Sequence, residues 1–260
     1  METIRGFKVE DLSFAYDKKP ILNHLSFEIA KGKVTTIMGS NGCGKSTLFQ
    51  LMTKNLTPDF GRVYLDGRDI GDMSLKSYAK KVAIVHQYNS APSDLTVEKL
   101  VSYGRTPYMK YGLPAEPDLD EKMITRALKI TGTYQYKDRF ISELSGGQKQ
   151  RVWIAMALAQ GTDTIFLDEP TTYLDVRYQL QLLRLVRGLN QKYGTTIIMV
   201  LHDINQALAY SDEIVALSPK GKLVAKGKPD EVITEASLRE IYRIDLKITT
   251  VNDKPFAITV

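Results

Sequence analysis

The chain has 260 residues, of which 43% are hydrophobic and 25% are charged, values close to those of soluble globular proteins. This composition excludes intrinsic disorder, because the apolar residues can bury enough surface to offset the entropy lost on folding. A single cysteine excludes a disulfide scaffold and a cysteine-based zinc site, and it fits a reducing compartment. The net charge of +5 is spread along the chain, so charge alone does not identify an anionic partner.

The hydropathy pattern bears on where the protein works. The longest apolar runs, such as TIIMVL at 196–201, are about six residues long, whereas a membrane span needs roughly twenty. The first residues, METIRGFKVEDL, contain no apolar segment of the kind that directs export. We therefore expect a cytoplasmic globular protein.

The first 90 residues are predicted to be rich in β-structure. Alternation of apolar and polar residues predicts a strand over 7–16 and an antiparallel partner over 21–29. A turn at 31–33 leads to an apolar run over 34–39, which is typical of a buried strand. The next predicted elements are a helix over 45–54, a hairpin over 61–70 turning at Asp66-Gly67, and a buried strand over 81–87.

From about residue 92 the pattern changes to helical periods, broken by a Pro-, Gly- and Tyr-rich loop at 104–118. After 164, β-rich runs alternate with helices, which is the rhythm of a mainly parallel sheet with crossover helices. The predicted elements are strands within 164–168, 195–203 and 213–218, helices over 176–193 and 204–210, and a C-terminal helix at about 237–243 before a hairpin around Asn252-Asp253.

A glycine-rich segment, GSNGCGKST, lies between a predicted strand and a predicted helix and matches the pattern G-x-x-x-x-G-K-[ST]. Glycines let backbone N–H groups converge on phosphate oxygens at a helix N-terminus. Lys45 can reach the β- and γ-phosphates, and the Ser46 hydroxyl can bind Mg²⁺. The pattern therefore predicts a nucleoside triphosphate site rather than an ordinary glycine-rich turn. The predicted loop contains Gly39, Ser40, Asn41, Gly42, Cys43, Gly44, Lys45, Ser46 and Thr47.

Cys43 stands inside this loop. We interpret it as a small residue tolerated there, because no histidine or other base is implied as its partner. A thiolate favoured by the helix N-terminus would instead make alkylation block the site.

The segment TIFLDEP at 164–170 is an apolar strand that ends in two acids. Asp168 is expected to bind Mg²⁺, and Glu169, on the other side of the pleat, to polarise the attacking water. An acid pair at a strand end is common on protein surfaces, so this assignment depends on the glycine-rich loop.

A third motif, LSGGQ, opens a predicted helix. Its serine suits a helix N-cap, and its glycines expose the first N–H groups of the helix to an anion. The alternative is a plain capped helix. The residues of this motif taken as a second anion site are Ser145, Gly146, Gly147 and Gln148.

These motifs, followed by an isolated histidine, occur in the order found in the nucleotide-binding subunits of ABC transporters, which the whole chain resembles. The resemblance implies the ABC ATPase fold. That fold is an α/β P-loop NTPase core with a mainly parallel sheet, an N-terminal antiparallel β part and a helical insertion. It is expected here as a single domain over 1–260, with the insertion at about 90–160 and a C-terminal helix and hairpin at about 237–260. The resemblance also implies a dimer with a second copy, in which each ATP lies between one P-loop and the partner's Ser145, Gly146 and Gly147.

Four further roles are implied by the resemblance alone. Tyr16 would contact adenine, or else pack in the core as a strand residue. Gln87 would touch Mg²⁺ or water, or else only cap a strand. Asp175 would lie at the dimer seam, or else cap a helix. His202 would bind the γ-phosphate, or else have only a structural role, as a lone histidine usually does.

Finer features resemble the importer ATPases for iron–siderophore complexes, haem and vitamin B12. They are YGRTPY at 103–108, DEPTTYLDVRYQ at 168–179, HDINQA at 202–207 and the ending GKPDEVIT…LREIYRID. The resemblance implies an ATPase that uses ATP and Mg²⁺ and sits peripherally on the cytoplasmic face of the membrane. It would bind transmembrane permease subunits and act indirectly with an extracellular substrate-binding protein. The loop from Tyr103 to Tyr111 is expected to face the permease, unless its tyrosines fill the core of the helical insertion.

Other functions stay open at this point. Ferric siderophore import is preferred, with haem, vitamin B12 or manganese/zinc import as neighbouring alternatives. A non-transport ABC ATPase acting on DNA or ribosomes usually carries a long coiled coil or tandem ATPase domains, so no nucleic-acid partner is expected. A binding-only module is disfavoured because Lys45, Asp168, Glu169 and His202 are all present.

Overall fold

The structure is a computed structural model that describes residues 6–251 and 254–259. Its strands are β1 Gly6–Tyr16, β2 Lys19–Ala30, β3 Val34–Gly39, β4 Phe60–Leu65, β5 Arg68–Asp69, β6 Val82–Val85, β7 Thr164–Leu167, β8 Thr196–Val200, β9 Glu213–Leu217, β10 Leu223–Gly227, β11 Leu246–Val251 and β12 Lys254–Thr259. Its α-helices are α1 Lys45–Met52, α2 Leu75–Ala79, α3 Val97–Ser102, α4 Pro117–Ile130, α5 Gly146–Ala159, α6 Val176–Tyr193, α7 Ile204–Tyr210, α8 Pro229–Val232 and α9 Glu235–Tyr242. The turn predicted at Asn252-Asp253 lies outside the described residues.

The chain divides into two compact units, and the first contains residues from 1–73 and 189–260. Its N-terminal part is an antiparallel sheet with the strand order β2-β1-β4-β5. In β1 the side chains of Phe7 and Val9 are buried, whereas Glu10 is exposed, as expected for a strand covered on one face. The predicted pairing of the first two strands is correct, with Phe7 opposite Ile29.

The same unit contains a second group of strands in the order β10-β9-β3-β8. All residues of β3 and β8 are buried, which explains their continuous apolar runs. β3 pairs in parallel with both β8 and β9, so the carboxyl ends of these strands lie at one edge. Gly39 ends β3 at this edge, and Val200 ends β8 two residues before His202.

The second unit contains residues 74–188. Its strands β6 and β7 are parallel, with Val85 opposite Leu167 at their carboxyl ends. Helices α3, α4 and α5 pack on one another. A buried ion pair joins the segment after α3 to α4, with Arg105 Nε 2.7 Å from Asp120 Oδ1. The segment predicted as a helical insertion, at about 90–160, lies inside this unit.

Two predicted boundaries are wrong for local reasons. The helix expected to reach residue 54 ends at Met52, because Lys54 has a left-handed backbone with φ of 62°. The Lys54 ammonium donates to the backbone carbonyls of Ile70, Gly71 and Met73, which holds that turn. The strand expected over 81–87 ends at Val85, so its last two residues lie beyond the strand.

The loop predicted at 104–118 is more ordered than its composition suggests. Residues 103–108 form a 3₁₀ helix, and α4 already begins at Pro117. Gly104 touches the backbone of α5 at Met156, where a Cβ would overlap the carbonyl oxygen. Arg105 donates to the backbone carbonyls of Ala159 and Gln160 at the end of α5, so the base of the loop is fixed to that helix.

Within the described ranges, every helix is too short or too polar to traverse a lipid bilayer.

Candidate functional site

The glycine-rich loop follows β3 and leads into α1, in the predicted strand–loop–helix order. Gly44 caps the helix with φ of 101°, and a Cβ there would lie 2.6 Å from Leu22 Cδ2. Both the left-handed backbone and the close approach therefore require glycine. Asn41, Gly42 and Ser46 are exposed, whereas Thr47 is buried in the first turn of α1.

Lys45 lies along this loop and is 5% exposed. Its Nζ donates to Gly39 O at 2.9 Å and to Ser40 O at 3.0 Å. These bonds hold the ammonium over the backbone that forms the loop. The Lys45 ammonium can therefore interact with a phosphate group that the backbone N–H groups of the loop bind.

Cys43 is 1% exposed, and a Cβ at Gly39 would overlap its Sγ. Burial raises the pKa of the Cys43 thiol, and Lys45 only partly opposes this effect. The thiolate is therefore disfavoured despite the adjacent helix N-terminus. Cys43 is a small packed residue, in line with the preferred interpretation, and its burial argues against the alternative of a reactive thiolate.

Two more predicted residues belong to the first unit. Tyr16 ends β1 and is 45% exposed, with its ring edge-on to Phe14 at 4.9 Å, so the core-packing alternative is wrong. Its contact with adenine stays a prediction. His202 is exposed just beyond β8, at the strand edge where Gly39 ends β3.

In the second unit the acid pair follows β7. The strand ends at Leu167, and Glu169 has a left-handed backbone with φ of 47°. The prediction that pleating separates the two acids is therefore wrong, because Asp168 and Glu169 already lie in the turn. The Asp168 N–H donates to Val85 O at 2.9 Å, which fixes the start of that turn.

Glu169 is brought together with Gln87. Gln87 Nε2 donates to Glu169 Oε2 at 2.6 Å, and Thr172 Oγ1 donates to the same oxygen at 3.2 Å. The carboxylate is therefore oriented by two donors. Sequence reasoning missed Thr172, although its place three residues after Glu169 is typical of a side chain that closes a turn.

The LSGGQ motif opens α5 with reciprocal capping bonds. Ser145 Oγ accepts from Gln148 N at 3.4 Å, and Ser145 N donates to Gln148 Oε1 at 2.8 Å. Gly146 faces open space, whereas a Cβ at Gly147 would lie 2.6 Å from Tyr178 Cδ1. Gly146 thus leaves the start of the helix exposed, whereas Gly147 allows Tyr178 to pack closely against the helix.

Asp175 precedes α6, and its Oδ1 accepts from Tyr178 N at 3.0 Å. This bond caps the helix, as the alternative interpretation expected. A role at a dimer seam stays a prediction.

The residues expected to hold Mg²⁺ are Ser46, Gln87 and Asp168. They carry a hydroxyl, an amide carbonyl and a carboxylate, which are the oxygen ligands that Mg²⁺ takes. This donor chemistry fits the ion.

A loop that leaves a buried parallel strand, caps a helix and carries a buried lysine defines a P-loop nucleotide-binding protein. Comparisons with known proteins agree. Residues 22–172 match the ABC transporter family. The chain is 45% identical to the iron(3+)-hydroxamate import ATP-binding protein FhuC of Bacillus subtilis, over 98% of this chain and 95% of that protein. It is 44% identical to the petrobactin import ATP-binding protein FpuD of Bacillus anthracis, over 95% and 89%.

A structure of a metal-chelate type ABC transporter in an inward-facing conformation is also similar. It has a TM-score of 0.84 and 26% identity, covering 97% of this chain and 96% of that one. The chain therefore belongs to the ABC transporter family, as one of its ATP-binding subunits. The predicted family and fold class are confirmed.

Proposed function

We propose that this chain is the ATP-hydrolysing subunit of a ferric siderophore importer. The observation that carries the proposal is the P-loop, with Lys45 buried along it, in a chain similar over nearly its full length to iron-chelate import ATP-binding proteins. Those two relatives are named for different chelates, so the class of cargo is supported rather than one compound. The subunit would sit peripherally at the cytoplasmic face of the membrane, bound to a separate permease that an extracellular substrate-binding protein supplies.

The hydrolysis assigned to this chain uses three side chains. Lys45 would bind the β- and γ-phosphates and offset the charge that develops on the transferred phosphoryl group. Glu169, already oriented by Gln87 and Thr172, would accept a proton from the attacking water. His202 would bind the γ-phosphate. Bound Mg²⁺ supplies charge neutralisation at the phosphates.

The signature motif would serve the nucleotide of a second copy. Ser145 and Gly146 are exposed at the N-terminus of α5, whose first N–H groups lack partners within the helix. An anion therefore suits this end of the helix. Asp175, at the start of α6, would lie at the seam between the two copies.

Gly146 and Gly147 offer a matched test of this arrangement. Gly146→Ala adds a methyl that meets nothing within 4 Å in this chain, so a loss of ATPase activity with unchanged thermal stability would report on a bound nucleotide or second copy. Gly147→Ala would overlap Tyr178 and should lower stability. Full activity in Gly146→Ala would argue against a shared site.

Mixing two inactive variants provides a second test. Lys45→Ala damages the P-loop and Ser145→Arg the signature motif, so a mixed dimer contains one doubly damaged and one intact site. Partial recovery of ATPase activity is expected in the mixture. Absence of recovery in confirmed mixed dimers would oppose independent composite sites.

The loop after the 3₁₀ helix is proposed to contact the permease. Lys110 and Leu113 exchange two backbone hydrogen bonds, of 2.9 and 3.0 Å, around Tyr111 and Gly112, which both have positive φ. This tight turn presents the fully exposed Tyr111 and the 69% exposed Leu113. Tyr108 differs, because the Arg105 guanidinium lies 4.0 Å from its ring centre. Tyr108 is half-buried against Arg105, so Tyr111 and Leu113 are the residues proposed to contact the permease.

Uptake of radiolabelled iron tests the cargo and the loop together. In cells that lack the gene, the wild-type chain should restore uptake of iron from ferric hydroxamate or catecholate chelates. If it restores uptake of haem or cobalamin instead, the assignment of the cargo is wrong. Tyr111→Ser with Leu113→Ser should lower uptake and co-purification of the permease, while the isolated subunit keeps its ATPase activity. Ile244→Ser, at another exposed apolar residue, is the control and should change neither.

A further inference from the structure

Asn205 joins two parts of the first unit that are 52 residues apart in sequence. Its Nδ2 donates to Ala257 O at 3.1 Å, and its Oδ1 accepts from Ala257 N at 2.8 Å. The side-chain amide thus makes both bonds that a neighbouring strand would make to β12. This pair of bonds, the Asn205–Ala257 clip, attaches the first turn of α7 to the C-terminal hairpin.

The clip lies three residues after His202. Asp203 caps α7, with its Oδ1 accepting from Gln206 N at 2.8 Å, so the position of His202 depends on where this helix begins. α7 has seven residues, of which Ala207 is buried. A helix this short is marginal by itself, because most helical stability comes from packing. Contacts that hold its first turn therefore have a large influence on the histidine.

The hairpin also approaches His202 from the side. Phe256 and Ile258 of β12 line a cleft of about 390 Å³ that His202 and Asp203 line as well. Before the hairpin, Tyr242 of α9 has a buried hydroxyl without a hydrogen-bond partner. Burial raises the pKa of Tyr242, and Cys43 and Asp203 add to the effect. β12 therefore packs against α7 and lines the cleft next to His202.

We propose that Asn205 is a positioning residue for ATP hydrolysis, because the Asn205–Ala257 clip fixes the start of α7 and hence the place of His202. This inference rests on the proposed role of His202 at the γ-phosphate. Asn205 touches no reacting atom in this account. Its loss should lower the rate of the chemical step and leave ground-state binding of ATP, which the P-loop provides, unchanged.

Two variants break the clip from opposite sides. Asn205→Ala removes the amide, and Ala257→Pro removes the N–H that donates to it. Since that N–H points to Asn205, the proline spares the ladder bonds between β11 and β12, a position where proline is tolerated. Each variant should lower kcat for ATP by about tenfold, which is below the roughly hundredfold loss that a misplacement of about 1 Å can cause. The Kd for ATP, measured by calorimetry without Mg²⁺, should stay within about twofold.

A matched control separates positioning from general stability. Asn190 makes two comparable bonds, from Nδ2 to Gly32 O at 2.8 Å and to Thr195 O at 2.9 Å. Asn190→Ala should lower the thermal midpoint and leave kcat of the folded protein near wild type. If Asn205→Ala or Ala257→Pro keeps wild-type kcat, or loses rate only in proportion to stability as Asn190→Ala does, the inference is overturned.

The variant His202→Ala distinguishes a failure of the positioning role of Asn205 from a failure of the proposed function. A wild-type rate in His202→Ala would remove the role of His202 itself. A strong loss in His202→Ala together with an unchanged rate in both clip variants would remove only the positioning role of Asn205.

Discussion

Glu169→Gln is the most direct test of the proposed hydrolysis. The substitution keeps the shape of the side chain and removes the group that accepts the proton of water. A positioned general base contributes roughly 100- to 10,000-fold to a rate, which corresponds to about 3–5 kcal/mol of activation free energy. We expect kcat to fall by a factor in that range.

The surroundings of Glu169 explain why binding and folding should survive. Gln87 Nε2 and Thr172 Oγ1 both donate to Oε2, and the carbonyl oxygen of a glutamine can accept the same two bonds. Glu169→Ala would instead remove the acceptor from both donors, at a cost of roughly 1 kcal/mol for each net hydrogen bond lost. The glutamine variant should therefore unfold close to the wild-type temperature, and the alanine variant below it.

The assay combines phosphate release, calorimetric titration with ATP and size-exclusion chromatography. Glu169→Gln should bind ATP with wild-type affinity and accumulate as an ATP-bound dimer in Mg²⁺-free buffer. Hydrolysis at close to the wild-type rate would show that the proton acceptor lies elsewhere. Lost ATP affinity at unchanged stability would show that the carboxylate serves binding rather than turnover.

Three further outcomes are expected. Lys45→Ala should weaken ATP binding as well as turnover, because the ground-state triphosphate already uses the ammonium; unchanged calorimetric affinity would refute this. Cys43, whose thiol pKa burial raises, should react slowly with iodoacetamide at pH 8 and quickly once urea unfolds the chain, and rapid labelling of the native protein would contradict its packing. Asp120→Ala leaves the 5% exposed Arg105 side chain without its carboxylate, so stability should fall by about 3–5 kcal/mol and the thermal midpoint by at least about 6 °C. Asp120→Ala combined with Arg105→Met should recover most of that loss, as measured by thermal unfolding.

The hydropathy pattern predicted the buried strands well, for a physical reason. A strand buried on both faces must be apolar throughout, and β3 and β8 show this in sequence before any contact is known. Parallel pairing then places the loops that leave these strands at one edge of the sheet. The P-loop can be assigned from its strand–loop–helix context, whereas the role of His202 is implied only by the family resemblance. The structure adds that the strands before them, which end at Gly39 and Val200, are paired.

Features set by backbone conformation were not predictable from periodicity. Glu169 was expected to lie on the other side of a pleated strand, yet the strand ends at Leu167 and Glu169 itself has a left-handed backbone. Lys54 ends α1 in the same way, and lysine gives no sequence signal for a positive φ. Non-local bonds, such as that between Asn205 and Ala257, involve common residue types at long separation, so no spacing rule could find them.

The two side chains assigned to the chemistry beyond the P-loop are supported in different ways. Glu169 is held through its own carboxylate, whereas His202 is held through the helix that begins just after it and through Asn205. Loss of Glu169 changes the reacting group, and nothing that tightens the fold can restore it. Loss of Asn205 only loosens the position of His202, and osmolytes such as sucrose favour compact packing. Sucrose should therefore recover part of the rate of Asn205→Ala and none of the rate of Glu169→Gln, and equal responses in the two variants would mean that both changes act through the same cause.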